Sequence, residues 1–457
     1  MLFRKALSGV LIASALGSSS AATLDPNDKA ALGAAAHQAT ANLVGLYNAE
    51  EKAGLTAEGS FDQSKFSWFA SGIVWGQVLS NSLVFGDKSQ DATASKAIGV
   101  ATFGIGDLLG GPMRSFSEKY RGKWNDDLGW WAFAMMTAVD AYGKDAQIAG
   151  GAKFLDAATL TFNQMHEQYD MTCGGGIYWS RNREAEKDAD YKSTISNTQF
   201  VQLGARLAVA TGNQTFLDLA SQTYNWLKTS GLVTADWKVV DGVHTTTCGV
   251  VNPRAWGYNA GVMLGAAAYM YKATQQQSYL DDAKNILNVA VASFTQNNVV
   301  YEPGCPYGQC GRETPMGKPQ LIKGMAQLYT VSNDPAVKAQ IQTVIDTTLA
   351  SAVKNCDADW WCSSEWTGTM APTKEAYDQA GTAELLVAAA MVHGATPPAG
   401  TTAGGLGSAA PTSSGPAGSS GSSGSTAASP KVNSASASNA GILGTFIGAL
   451  MGGLVGW

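Results

Sequence analysis

Between residues 28 and 393 apolar side chains recur at intervals of three and four, and the alternation of a half-buried strand is scarce. The pattern predicts about twelve helices, over residues 28–51, 65–83, 93–109, 126–142, 151–168, 194–210, 214–229, 257–273, 278–295, 319–331, 335–353 and 374–392. Asp25-Pro26-Asn27-Asp28 supplies a capping start to the first, and Phe66, Phe69, Ile73 and Val84 fall near one stripe of the second. The third is a weaker segment, interrupted by glycines. Short links such as Ala210-Thr211-Gly212-Asn213 and Ala273-Thr274-Gln275-Gln276 imply antiparallel neighbours. Longer loops, over residues 110–125, 170–190, 230–256, 298–318 and 355–373, carry the Gly, Trp and Cys residues. This alternation predicts an all-α fold, a closed barrel of helical hairpins with its long loops gathered at one end, where function usually lives. A solenoid fits less well, because no fixed repeat of roughly 33–47 residues is kept.

The two ends differ from this body. Arg4 and Lys5 precede the short apolar run from Ala6 to Leu16, and Ser20-Ala21-Ala22 offers a cleavage site, so residues 1–22 are expected to be a secretory signal peptide. The catalytic or binding domain then spans residues 23–395. Residues 396–440 are rich in Ser, Gly, Ala, Thr and Pro and cannot bury a core, which predicts a disordered stalk. Residues 441–457 form an uncharged apolar tail. Small residues, a polar spacer and a terminal apolar tail are the pattern of glycosylphosphatidylinositol (GPI) attachment, with loss of the tail. Asn433 is the favoured attachment residue and Gly424 the alternative. The expected location is the secretory pathway, ending on the outer face of the plasma membrane or in the cell wall.

Six cysteines suit an oxidising compartment. Cys305 with Cys310, Cys356 with Cys362, and Cys173 with Cys248 are the expected pairs, the first two because their loops are short. A zinc site is the rival reading, but there is no Cys-x-x-Cys and the four histidines are scattered. No metal and no cofactor are therefore expected. Asn213-Gln214-Thr215 is the one glycosylation sequon and falls in a predicted turn. A net charge of −6 without Lys/Arg clusters argues against nucleic acid as a partner. A monomer is expected.

The candidate chemistry centres on Trp124-Asn125-Asp126-Asp127, with Trp130 and Trp131 close behind. Adjacent aspartates are usually a solvated helix start, where their charge complements the macrodipole. Here they stand among indoles that are costly to expose without use. Aromatic faces for stacking and paired carboxylates for acid/base and nucleophilic work are what glycosidic bond cleavage needs. Side chains at adjacent helical positions point about 100° apart, so one cleft receives both only near a helix end. Such a pair would lie about 5–5.5 Å apart, as in retaining enzymes, and would raise one of its two pKa values. Three further stretches share the flavour. Gly174-Gly175-Gly176-Ile177-Tyr178-Trp179 lets backbone approach a ligand, or is a tight turn pinned by a disulfide. Tyr191, Lys192 and Asn197, at a helix start, are caps or reach sugar hydroxyls, with Lys192 also able to steady a carboxylate. Tyr258 and Asn259 open a small-residue helix and are expected to face the cleft.

Taken in order, Trp124-Asn125-Asp126-Asp127, the triple-glycine loop through Tyr178-Trp179, Tyr191-Lys192 with Ile195-Ser196-Asn197, and Tyr258-Asn259-Ala260-Gly261-Val262 resemble glycoside hydrolase family 76. The chain looks most like its fungal GPI-anchored branch, the mannan endo-1,6-α-mannosidases of the Dcw1/Dfg5 type. The resemblance covers roughly residues 25–395 and implies an (α/α)6 barrel acting on α-1,6-linked mannose with retention. It assigns Asp126 as nucleophile and Asp127 as acid/base. Trp124, Asn125, Trp130, Trp131, Tyr178, Trp179, Tyr191, Lys192, Asn197, Tyr258 and Asn259 are the expected substrate-binding residues. The expected partners are α-1,6-mannan or the mannose of a GPI glycan, with cell-wall glucan as an acceptor if the glycosyl intermediate is transferred to sugar rather than water. The polar residues between Glu302 and Gly324 find no match in the family pattern. Against the enzyme stand a non-catalytic mannan-binding wall protein and a purely structural mannoprotein. The second leaves the tryptophan–aspartate cluster unexplained.

Overall fold

The computed structural model describes residues 22–111, 123–183, 188–303, 305 and 313–394. The proposed signal peptide apart from Ala22, the stalk, the apolar tail with Asn433, and Cys310 lie outside the described residues. Twelve α-helices are found among the described residues: α1 Lys29–Lys52, α2 Trp68–Phe85, α3 Asp91–Ala101, α4 Asn125–Tyr142, α5 Phe154–His166, α6 Thr194–Thr211, α7 Gln214–Thr229, α8 Gly257–Thr274, α9 Gln277–Phe294, α10 Gly317–Val331, α11 Pro335–Ala352 and α12 Ala376–Val392. None of these is long and apolar enough to cross a membrane.

The even-numbered helices form an inner ring. Each packs against the next even-numbered helix, and α12 returns to α2, which closes the barrel. The odd-numbered helices back them from outside. The sequence explains the division. Inner helices are buried nearly all round, as α4 is from Asn125 to Val139 with Asp126 as the exception. Outer helices bury one stripe, such as Phe216, Ala220, Thr223, Tyr224 and Leu227 of α7, and leave polar residues in water. Inner neighbours come very close where small residues meet. A Cβ added to Gly324 of α10 would lie 1.9 Å from the Gly261 carbonyl oxygen of α8, so a side chain there would force the two helices apart. Trp131 of α4 is fully buried, stacked on Trp68 with ring centroids 5.1 Å apart, and a Cβ on Gly72 would collide with it. Burial of such a side chain contributes roughly 1.5–3 kcal/mol.

Caps set the helix starts. The Asp28 carboxylate accepts from the Ala30 and Ala31 amides, and the Asp334 carboxylate accepts from the Ala336 amide. The exposed Asn213 caps α7 by accepting from the Thr215 amide through its side-chain oxygen. The third helix ends at Ala101, earlier than its apolar pattern suggested, because Gly104 and Gly106 take positive φ values of 70° and 77°. The sparse sheet is new relative to the sequence reading. Strands β1 Tyr191–Ser193, β2 Gly242–His244 and β3 Val250–Asn252 form an antiparallel sheet in that order, and Thr295–Gln296 pairs with Val299–Val300. These strands are too short for periodicity to register.

Two of the expected disulfides, Cys173–Cys248 and Cys356–Cys362, are formed. The first ties the triple-glycine loop to the turn between β2 and β3. Cys305 is also disulfide-bonded.

Candidate active site

The inner helices run parallel, and the N-termini of five of them border a cleft of about 1280 Å³. Asp126 and Asp127, in the first turn of α4, both line it. Their placement follows from the segment before them. Trp124 bridges to Ser180, the Asn125 amide donates to the Trp179 carbonyl at 2.9 Å, and the Arg181 amide donates to the Lys123 carbonyl at 2.8 Å. This short pairing locks the start of α4 to the strand-like segment 178–181. Trp179 thereby lies flat on Trp124, centroids 3.9 Å apart at 15°, and its indole Nε1 donates to Asp126 Oδ1 at 2.8 Å.

The two neighbouring carboxyls sit in different electrostatic settings. Burial lifts Asp126 from the ordinary carboxylate range to about 7, although the Trp179 indole and the helix amides favour its ionised form. Asp127 is pushed well above that range by burial, by the charge of Asp126 and by that of Glu313. No donor offsets those contributions. Both carboxyls are therefore held above the ordinary carboxylate range, Asp127 the more strongly, so Asp126 gives up its proton first and the pair keeps a proton on Asp127. An ionised nucleophile beside a protonated acid is the starting state of a retaining glycosidase.

Of the residues expected to bind substrate, Trp124, Trp130, Trp179, Tyr191 and Tyr258 line the cleft. The others do not, and each has a packing or hydrogen-bonding reason. Trp131 faces the core against Trp68. Asn125 is fully buried, donating to the Tyr178 carbonyl at 2.7 Å and accepting from Arg181 at 3.0 Å. Tyr178 is buried and donates its hydroxyl to Asp170. Lys192 is fully buried beneath the triple-glycine loop, where its ammonium donates to Asp170 Oδ1 and to the carbonyls of Asp170, Thr172 and Gly175 at 2.6–3.1 Å. Asn197 accepts from the Ile177 amide and donates to the Ile177 and Ser193 carbonyls. Asn259 is buried with its amide 3.5 Å from Asp241 Oδ1. These residues build the cleft from behind.

The sequence reading missed three carboxylates in the cleft: Asp241, Glu302 and Glu313. Asp241 accepts from the Tyr191 hydroxyl at 2.6 Å, and its charge helps raise Asp126. Glu302, raised to about 7 by burial, accepts from the Gly257 amide at the start of α8. Glu313 accepts from the Ser67 hydroxyl and bears on Asp127. Each lies in a long loop, away from the tryptophan cluster that singled out the aspartate pair. The one available signal was that those loops open inner helices.

Residues 31–402 match the model of glycosyl hydrolase family 76. A putative mannan endo-1,6-α-mannosidase of Schizosaccharomyces pombe is 25% identical over 361 residues, covering 76% of this chain and 79% of that protein. The Saccharomyces cerevisiae mannan endo-1,6-α-mannosidase DFG5 is 30% identical over 301 residues, covering 65% of this chain and 64% of that protein. Among solved structures, Dfg5 from Chaetomium thermophilum in complex with glucosamine superimposes with a TM-score of 0.71 at 24% identity, covering 82% of this chain and 93% of that one. A doubly substituted inactive α-1,6-mannanase of a Salegentibacter species, in complex with α-1,6-mannotriose, gives 0.65 at 17% identity, covering 79% and 99%. The fold is the (α/α)6 barrel, and the chain belongs to glycosyl hydrolase family 76 as a glycoside hydrolase.

Proposed function

We propose that the protein is a retaining endo-acting mannosidase or transglycosidase that works on α-1,6-linked mannosides at a fungal cell surface. The carrying observation is the unequal pair in the cleft, Asp126 hydrogen-bonded by the Trp179 indole and Asp127 pushed further above the ordinary range without such a donor. Asp126 attacks the anomeric carbon as the glycosidic bond breaks, and the Asp127 proton passes to the departing oxygen. A covalent mannosyl–Asp126 ester results. An incoming hydroxyl then attacks the same carbon, gives its proton to Asp127 and releases Asp126 as carboxylate. Water as acceptor gives hydrolysis and a sugar hydroxyl gives transfer, so the same residues serve both.

The α-1,6-mannan named for the relatives supports the linkage, and the aromatic surfaces of Trp124–Trp179 and Trp256–Tyr258 suit stacking of sugar rings. The sequence features of the two ends support a GPI-anchored protein, with mannan or a GPI glycan as donor and wall glucan as acceptor in the transfer case. The test is incubation of the purified protein with α-1,6-mannooligosaccharides, with and without a glucan oligosaccharide, followed by mass spectrometry. Shortened mannosides that vanish in Asp126→Asn support the assignment, and acceptor-linked products establish transfer. Turnover that survives Asp126→Asn removes it.

A further inference from the structure

Glu302 has no role in the chemistry above, yet it is built into the cleft with care. It follows the Thr295–Gln296/Val299–Val300 hairpin, is 7% exposed, and reaches across to the first turn of α8. Both of its oxygens lie within hydrogen-bond range of the Gly257 amide, at 3.1 and 3.3 Å. Trp256, at the N-cap position of α8, makes no side-chain cap of its own, so a carboxylate from another element does that work. Glycine at 257 gives the carboxylate room, because a Cβ there would stand 2.9 Å from Glu302 Oε2 and push it off the amide. On either side of the capped amide are Trp256 and Tyr258, which line the cleft with rings nearly parallel, 22° apart and 6.3 Å between centroids. The Arg254 guanidinium covers Trp256 at 3.7 Å.

We propose that Glu302 is a positioning residue: by capping α8 at Gly257 it fixes the Trp256–Tyr258 aromatic wall against which the sugar chain stacks. This rests on the reading of the cleft as a mannoside site. An aromatic surface contributes more to binding when its orientation is set before the ligand arrives, because the ordering cost is then not met on binding. The cap supplies that orientation from a residue distant in sequence.

The test is a kinetic comparison of wild type, Glu302→Gln and Glu302→Ala on an α-1,6-mannooligosaccharide, with hydrogen exchange of the unliganded proteins over residues 255–261. Glu302→Ala is expected to raise KM about tenfold while kcat changes less than about twofold, the split of a lost binding contact. Its exchange over that stretch should quicken. Glu302→Gln keeps an oxygen for the Gly257 amide and should recover most of the loss. In a Trp256→Ala background the further change to Glu302→Ala should add little, because both act through one wall. Independent, multiplying effects would mean direct sugar contact and overturn the proposal, as would a fall in kcat at constant KM or unchanged exchange in Glu302→Ala. Absence of turnover by wild type would instead remove the mannoside reading. The exchange comparison would still decide whether Glu302 holds the wall.

Discussion

Replacing Trp179 by phenylalanine removes one of the donors that favour the ionised form of Asp126 over that of Asp127. The substitution keeps an aromatic ring to lie on Trp124 but removes the indole donor 2.8 Å from Asp126 Oδ1. A hydrogen bond to an ionised partner is worth about 1.5–3 kcal/mol, and the partial opening of Asp126 to the cleft argues for the lower figure. At about 1.36 kcal/mol per unit, that is about one pH unit. The donor favours the ionised carboxylate, so its loss raises the Asp126 pKa further. The nucleophile must be ionised, so the acidic limb of the kcat/KM profile should move up by about one unit. The basic limb reports loss of the shared proton from the pair and should move less. The assay is the pH dependence of kcat/KM on an α-1,6-mannooligosaccharide for wild type and Trp179→Phe. A lower plateau with an acidic limb unmoved to within roughly 0.3 pH would refute the reasoning, since Trp179 would then act by stacking alone.

Three further outcomes follow from the same geometry. Lys192→Met leaves the Thr172 and Gly175 carbonyls without their ammonium donor, and should lower unfolding free energy in urea by about 3 kcal/mol. That figure discounts the half-exposed Asp170 partner, and a loss under about 1 kcal/mol would show that Lys192 does not pin the loop. Combining Asp126→Asn with Asp127→Asn should stabilise the empty enzyme. Burial holds Asp126 at about 7 against an ordinary 3.8 and raises Asp127 as well, so over that range the folded state holds more protons and wild-type stability falls as pH rises. The variant's advantage should be near zero at about pH 4 and about 2–4 kcal/mol at about pH 8 in urea titrations, and a constant advantage would contradict this. Removing Cys173–Cys248, whose cysteines are 75 apart in sequence, should cost more stability than removing Cys356–Cys362, whose cysteines are 6 apart. The chain-entropy estimates are roughly 4 and 2 kcal/mol, and thermal melts of the two double-serine variants compare them.

Much of this structure could be read from the chain. The outer helices were visible because they repeat apolar residues near 3.6, the inner ones as long runs of apolar and small residues, and helix α7 was bounded to the residue by Asn213 and the following turn. The cleft's aspartate pair was visible because tryptophans cluster around it. What stayed hidden depended on which side of a helix start faces the cleft. Lys192 and Asn197 look like ligand-binding residues in sequence, as polar groups at a helix N-terminus would. Tertiary packing places them behind the loop, where buried backbone carbonyls and amides need partners. Asp241, Glu302 and Glu313 were hidden for the opposite reason. A single carboxylate in a long loop has no periodicity, and only closure of the ring carries it to the pair.

Five carboxyl groups in one cleft would repel one another and resist burial in most folds. Here several stand at inner-helix starts: Asp126 and Asp127 in the first turn of α4, and Glu302 on the Gly257 amide of α8. The positive end of a helix dipole is worth about 0.3–1 kcal/mol to a nearby anion, and up to about 2 kcal/mol when partly buried. Moving a carboxyl from 3.8 to about 7, as Asp126 shows, corresponds to about 4 kcal/mol, so the dipole offsets part of the burial cost and leaves the rest. That remainder sets the chemistry. Full compensation would leave both aspartates ionised at neutral pH and no acid to protonate the leaving oxygen. Without any, both would be neutral and the nucleophile lost. The helix amides and the Trp179 donor favour the ionised form of Asp126, and nothing comparable lowers Asp127, so Asp126 is the one of the two that ionises first.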